Sequence, residues 1–196
     1  MAGGVRELTR DAVRAHLAES VFDHFLAYGF AHTTVEDAAK AAGISRATFF
    51  RYFASKEDAV IAAVQASQLD FGSRVTTPVL REGEPSWSLL RRAFEPMVDA
   101  AEAGPVRVRA KAQMIASIPS LRSLLANRRS LHEDELVRAL GERESDPLTA
   151  KVLVVAALSA FDLAWREWAA DPDASLRDVL DGVFSRLADH FAGDRA

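Results

Sequence analysis

The chain has 196 residues, 49% of them hydrophobic, with ten glycines, seven prolines, no cysteine and a net charge of −4. That length and composition are enough to bury a sizeable core, and they exclude a disordered tail, a disulfide framework and a thiolate metal site. The N-terminal "MAGGVRELTR" lacks the apolar core of a secretion signal, and the longest apolar run, "VLVVAALSAFDLAW", is broken by Asp162 and falls short of the roughly 20 residues of a membrane span, so a cytoplasmic protein without a membrane partner is expected.

In chain order, Val13, Leu17, Val21 and Phe25 recur every four residues, so Thr9 to about Tyr28 reads as an amphipathic helix ended by Gly29. Arg6, Arg10 and Arg14 share one face of it, but Glu7 and Asp11 lie beside them. Either phosphate contact or a solvated, self-paired face suits them, and they are assigned no site role. In "TTVED", Thr33 or Thr34 caps a short helix, "VEDAAKAA", that Gly43 stops. Ser45 then caps a third helix, "RATFFRYF", after a three-residue turn, Gly43 to Ser45. This is the pattern of a helix-turn-helix. Phe49 with Tyr52 or Phe53 is expected to pack on Val13, Leu17 and Ala39. Ser55 with Asp58 opens a fourth helix, "KEDAVIAAVQASQLD".

Charge is distributed unevenly along this region. Through Lys56 the basic residues exceed the acidic ones by one, and between Asp37 and Glu57 four basic residues, Lys40, Arg46, Arg51 and Lys56, occur with no acid. A carboxylate in that window would face a phosphodiester backbone if the third helix enters a DNA groove. Arginine at 46 or 51 can bond guanine in bidentate fashion, Thr48 can meet a thymine methyl or a phosphate, and Lys56 can neutralise a phosphate.

From Phe25 to Lys56, "FLAYGFAHTTVEDAAKAAGISRATFFRYFASK" resembles the DNA-binding domain of the TetR family of bacterial repressors over essentially its whole length. The glycine and aromatic before the second helix, the paired threonines, the "AGIS" turn, "TFFRYF" and the "SKED" cap stand in the family's order and spacing. The resemblance implies that Thr34, Ser45, Arg46, Ala47, Thr48, Phe50, Arg51 and Lys56 occupy DNA-contacting positions. Phe50 stands where the family usually has tyrosine, which removes one phosphate hydrogen bond.

Beyond this point "GSRVTTPVLREGEPS", Gly72 to Ser86, reads as a loop between the reader and a larger domain. By function the chain divides into a helix-turn-helix domain over 1–56 and a ligand-binding and dimerisation domain over 57–196. "WSLLRRAFEPMVDAAEA" has helical periodicity with a kink expected at Pro96. Pro105, Pro119 and Pro147 each suit the first turn of a helix, Asp146 and Ser175 suit caps, and Asp171-Pro172 suits an end. The sum is an all-α fold of about nine helices.

The segment "AKVLVVAALSAFDLAWREWAA" is apolar on nearly every face from Val152 to Ala164 and must be covered on both sides. The final helix carries Leu176, Leu180, Val183, Phe184, Leu187 and Phe191 as one stripe. The periodicity permits an intermolecular four-helix bundle, and the TetR resemblance implies it, giving a homodimer that suits a palindromic DNA operator. Trp87, Phe94, Met97, Met114, Ile115, Phe161 and Trp165 are candidates to line an apolar ligand pocket. The span Val106 to Trp168 resembles the acyl-CoA-like ligand-binding domain of some actinobacterial TetR-type regulators, which implies a hydrophobic small-molecule effector. Arg107, Arg109, Arg122, Arg128 and Arg129 are then candidates for its phosphates.

An enzyme is the rival class. "GISRA" resembles a nucleophile elbow, but follows a helix rather than a strand and lacks the last glycine. The histidines at 16, 24, 32, 132 and 190 form no recognisable ligand pair with carboxylates. No catalytic residue, cofactor or metal is therefore expected. The reading is a ligand-responsive transcriptional regulator, most simply a repressor, with an effector-independent DNA-binding protein or an activator as the alternative.

Overall fold

The computed structural model describes residues 2–66, 81, 83–141, 143–144 and 146–193, and their side chains apart from those of 2–8, 126–132 and 190–193. Among the described residues all regular structure is α-helical, in ten helices. They are α1 Ala2–Tyr28, α2 Val35–Ala41, α3 Arg46–Tyr52, α4 Lys56–Ala66, α5 Ser86–Ala93, α6 Glu95–Ala103, α7 Pro105–Ser117, α8 Pro119–Gly141, α9 Pro147–Ala170 and α10 Leu176–Gly193. The chain divides into two compact units, Met1–Asp70 and Phe71–Ala196. Most of the loop expected between Gly72 and Ser86 lies outside the described residues, and Ser86 itself begins α5.

In the first unit α1 supplies Leu17, Ala18, Val21, Phe22 and Phe25 to the core and packs on α2 and α4. Val13, expected among the packing residues, is exposed instead. α4 is buried along most of its length, so although the functional division assigns it to the second domain, it belongs to the compact body of the first. Gly29 ends α1 at a φ of 84°, its N–H donating to the carbonyl of Phe25 at 2.9 Å. Thr34 caps α2 reciprocally with Asp37, whereas Thr33 is buried and donates its hydroxyl to the Gly29 carbonyl at 2.8 Å. At the other end of α2 the Ile44 N–H donates to the carbonyl of Ala39 and that of Gly43 to Lys40. This Schellman closure requires the left-handed backbone of Gly43, with φ of 69°. The sharp turn thus follows from one glycine.

In the second unit α9 is central and contacts α5, α7, α8 and α10. The prolines at 105, 119 and 147 start α7, α8 and α9, Asp146 accepts from the N–H groups of Leu148 and Thr149, and Asp171 closes α9. Pro96 does more than kink its helix. The chain breaks at Phe94 into α5 and α6 through a tighter turn, in which the Phe94 N–H donates to the carbonyls of Arg91 and of Arg92, the latter being the one that Pro96 leaves without its usual donor. By length and hydropathy alone α9, at a mean of 1.7, resembles a membrane span. Its position between four other helices buries 39% of that apolar window. Its outer side carries a stripe of exposed Leu148, Val152, Val155 and Leu163, at 65%, 56%, 47% and 41% exposure. On α10, Leu176, Leu180 and Phe184 are buried, while Val183 and Leu187 are half-buried.

Candidate nucleic-acid interface and effector cleft

The recognition surface is built on a seven-residue helix. Phe49 and Phe53 point into the core with their rings 5.1 Å apart and tilted by 56°, leaving Tyr52 half-buried outside it. With that face fixed, Arg46, Ala47, Phe50 and Arg51 are exposed and Thr48 is half-buried. Ser45 caps the helix: its hydroxyl accepts from the Thr48 N–H at 3.1 Å and donates to Thr48 Oγ1 at 3.0 Å. The proton of the Thr48 hydroxyl is not used in that pair. Thr34, at the start of α2, is exposed and bonds Asp37 through both its N–H and its hydroxyl. These hydroxyl and amide bonds, in that order, hold the Asp37 carboxyl below its ordinary value.

Three cations behave differently from a reading of local sequence. Arg46 meets the Glu36 carboxylate at 2.6 Å and lies 5.1 Å from the centre of the Phe50 ring. The acid-free window is acid-free only in sequence, since the turn brings Glu36 of α2 beside the first residue of α3. Lys56 donates to the carbonyls of Phe30 at 2.9 Å and Thr33 at 2.8 Å and lies over the Phe30 ring. Two of its three N–H donors therefore tie the α1–α2 connection to the start of α4. Arg14, for which the spacing leaves phosphate contact or a solvated face, donates instead to the Tyr52 carbonyl at 3.2 Å and to both oxygens of Asp58 at 3.3 Å, above the Phe53 ring. Asp58 in turn accepts from the Ala54 N–H. Arg14 thus buckles α1 to the end of α3 and the start of α4.

In the second unit most candidate pocket residues form core. Phe94 stacks on Phe161 with centroids 4.6 Å apart and planes 18° apart, and also meets Phe184. Trp87 lies 4.6 Å from the Phe184 ring and donates its indole N–H to the Phe184 carbonyl. Met97 and Met114 are buried. Trp165, next to both Phe161 and Trp168, borders open space. It lines a cleft of about 220 Å³ between α7, α8 and α9, with apolar walls from Ala112, Ile115, Ala116 and Leu125. Arg122, Asp162 and Arg166 supply its charged groups. Ile115, a candidate from its size and apolar character, lines the cleft with Trp165, whereas Ala112 and Leu125 carry no distinctive signal in sequence, being ordinary helix residues.

Among the candidate phosphate arginines whose side chains are described, Arg122 lines the cleft. Arg109 donates to the carbonyls of Trp168, Asp171 and Ala174 and lies over the Trp168 ring, which makes it the closing clamp of α9. Arg107 is exposed, and the side chains of Arg128 and Arg129 lie outside the described residues. A wider groove of about 730 Å³ lies on the first unit beside His24, Tyr28, His32, Asp37 and Lys40, and no candidate DNA- or ligand-contacting residue lines it. Among the described residues no group of three or more His, Asp or Glu is placed to hold a metal ion.

A capped seven-residue helix, held by its predecessor across a glycine turn and presenting its basic, polar and aromatic face to solvent, defines a DNA-binding regulator of the helix-turn-helix class. Residues 22–63 match the family profile described as "Bacterial regulatory proteins, tetR family", and residues 84–192 match that of the "MftR C-terminal domain". The chain belongs to the TetR family of transcriptional regulators, with a C-terminal domain of the MftR type. It is 29% identical over 189 residues to MftR of Mycobacterium tuberculosis (strain ATCC 25618 / H37Rv), named for the regulation of mycofactocin biosynthesis, covering 89% of each chain. It is 26% identical over 196 residues to the transcriptional regulator TcmR of Streptomyces glaucescens, covering 95% of this chain and 85% of that one. These relatives are regulators rather than enzymes.

Solved structures of similar fold include FadR of Bacillus subtilis in complex with stearoyl-CoA, with a TM-score of 0.59 and 16% identity over 87% of this chain and 95% of that one. FadR of Thermus thermophilus in complex with lauroyl-CoA has a TM-score of 0.56 and 23% identity over 89% and 93%.

Proposed function

We propose that the chain is a cytoplasmic repressor that binds palindromic operator DNA as a homodimer and is released by a hydrophobic small-molecule effector, with acyl-CoA as the candidate class. The observation that carries the DNA half is the outward face of α3, where Arg46, Ala47, Phe50 and Arg51 are all solvent-facing on a helix whose opposite side is locked by Phe49 and Phe53. In this reading Arg46 and Arg51 reach base edges, Thr48 and Phe50 meet thymine methyls or sugar, and Thr34, Ser45, Ala47 and Lys56 approach the backbone. Arg46 arrives pre-oriented by Glu36, an ion pair that must open or pivot at the groove.

Dimerisation is supported by the exposed Leu148, Val152, Val155 and Leu163 stripe on α9, with α10 beside it. A second copy related by a two-fold axis would cover it, and a palindromic operator needs the same axis. The acyl-CoA component draws on the two FadR complexes, whose printed ligands are acyl-CoAs. An effector acts only by binding one arrangement of the two readers better than the other, and a coupling of about 1–3 kcal/mol would loosen the operator about 5- to 150-fold. The test is selection of bound sequences from random duplex DNA, followed by affinity across a salt series with and without acyl-CoAs. A two-fold consensus, a steep salt slope and ligand-dependent release are expected. A bound sequence without two-fold symmetry, or no sequence preference at all, overturns the reading.

A further inference from the structure

We infer that Glu36 is a specificity-determining residue of the reader and acts through Arg46: its carboxylate keeps the guanidinium from settling on any phosphate and lets it pivot onto guanine. The inference rests on the regulator reading above and adds what separates one DNA sequence from another at this position. The pair joins two helices. Glu36 stands in the first turn of α2 and Arg46 opens α3, with Arg46 Nε 2.6 Å from Glu36 Oε1. The two side chains are 61% and 64% exposed, and an ion pair so open contributes little to stability. Its consequence therefore lies at the face it occupies, the leading end of the helix that enters the groove.

Three features of the contact set what Arg46 can do. The carboxylate meets Nε, the inner nitrogen of the guanidinium, so the outer nitrogens Nη1 and Nη2 remain as a two-donor end for the O6 and N7 acceptors of guanine. The Phe50 ring, centred 5.1 Å from Arg46 Cζ, is a second neighbour of the same group, so the guanidinium is held from α2 and from α3 together. The third feature is charge. A phosphate that draws Arg46 away strands the Glu36 carboxylate beside the DNA backbone, and that like-charge contact lowers affinity for every duplex without a guanine in reach. Guanine brings no such penalty, because Nε stays beside Glu36 while Nη1 and Nη2 turn to the base. Asp37, the next residue, is engaged differently, since its carboxylate accepts from the Thr34 N–H and hydroxyl at the cap of α2.

The test measures the full chain on two duplexes across a salt series: the operator selected from random DNA by the wild type, and an unrelated duplex of equal length. Glu36→Gln keeps the size of the side chain and removes its charge. It is expected to bind the unrelated duplex at least three-fold more tightly, with a salt slope steeper by about 0.9 because Arg46 gains one phosphate, while operator affinity stays within two-fold. Selection repeated with the variant should lose preference at the base pair that Arg46→Ala also relaxes. In the Arg46→Ala background, Glu36→Gln should move both duplexes alike and leave their affinity ratio unchanged. Glu36→Asp keeps the charge and should stay nearer to the wild type than Glu36→Gln does. A wild type that prefers its operator and a Glu36→Gln variant with the same ratio and slopes overturn the inference while the regulator reading stands. A loss of ratio that persists without Arg46 overturns action through that residue. A wild type with no sequence preference overturns the regulator reading and the inference together.

Discussion

In the first unit the candidate contacts come from one seven-residue helix and the caps on either side of it, whereas in the second the cleft draws on three helices and on residues from Ala112 to Arg166. The difference lies in what fixes each side chain. On α3 the orientation of Arg46, Phe50 and Arg51 follows from helical period once Phe49 and Phe53 are buried, so composition and spacing carry the information. At the cleft the nearest neighbours are remote in sequence, and the residues that look most like ligand contacts, Phe94 and Phe161, are spent on each other. Large aromatics in a helical layer mark its core more readily than its cavities.

The sharpest way to break that comparison is Phe94→Ala. Removing a fully buried ring from the stack with Phe161 and Phe184 is expected to cost about 3–5 kcal/mol, read as a shift in the urea midpoint. Were Phe94 a ligand contact rather than core, stability would hold and effector affinity alone would fall.

A smaller effect is expected at the α9 stripe. Val155→Asp places a carboxylate on a surface that is exposed in the single chain, so the fold should survive. In a two-fold dimer the change occurs twice and should weaken association by roughly 2–4 kcal/mol, about thirty-fold or more in the dissociation constant. Sedimentation decides between the possibilities. A variant that remains as dimeric as the wild type removes α9 from the interface.

The helices, their prolines and most of their caps were legible in sequence because each signal is local: Gly43, Ser45, Asp146 and Pro105 act within four residues of themselves. The position of Pro96 predicts a kink and the structure has a break, because the outcome depends on whether a tight turn at Phe94 can close the carbonyl of Arg92 that proline orphans. The two buckles were not legible. Nothing in the spacing of Arg14 says that it will meet Asp58, 44 residues away, and nothing around Lys56 points to the carbonyls of Phe30 and Thr33. Glu36 likewise belongs to another helix and reaches Arg46 only once the turn is made.

Those cations give a prediction that separates architecture from recognition within one unit. Arg14→Met removes charged hydrogen bonds to Asp58 and Tyr52 and is expected to cost about 2 kcal/mol of stability with no change in the selected operator sequence. Arg46→Ala breaks an exposed ion pair and an exposed contact with the Phe50 ring and is expected to leave stability within about 0.5 kcal/mol, but to cost about 1–3 kcal/mol of operator binding and relax one base position. Lys56→Met should do some of both, weakening all sequences alike while lowering the melting temperature. If Arg46→Ala proves as destabilising as Arg14→Met, the division between the two roles is misplaced.

The smallest expected effect lies at the cap of α2, where structure and candidate contact coincide in one residue. Thr34 accepts from the Asp37 N–H at 3.2 Å and donates to its carboxylate at 2.6 Å, so Thr34→Ala loses a helix cap typically worth about 1 kcal/mol. The carboxylate adds a pH dependence whose sign is fixed. Bonds from the Thr34 hydroxyl and amide favour ionised Asp37 and hold it below the ordinary value of 3.8, so folding gains support from this group above that value and loses it as pH falls through the lowered one. Thr34→Ala removes the hydroxyl bond, the larger cause. The gap in melting temperature between variant and wild type should therefore be widest near about pH 7 and narrow toward about pH 3, while the cap bond to the Asp37 N–H, which does not titrate, keeps it from closing. A gap that stays constant across that range would show that the cap acts through the N–H bond alone and that Asp37 does not report on it.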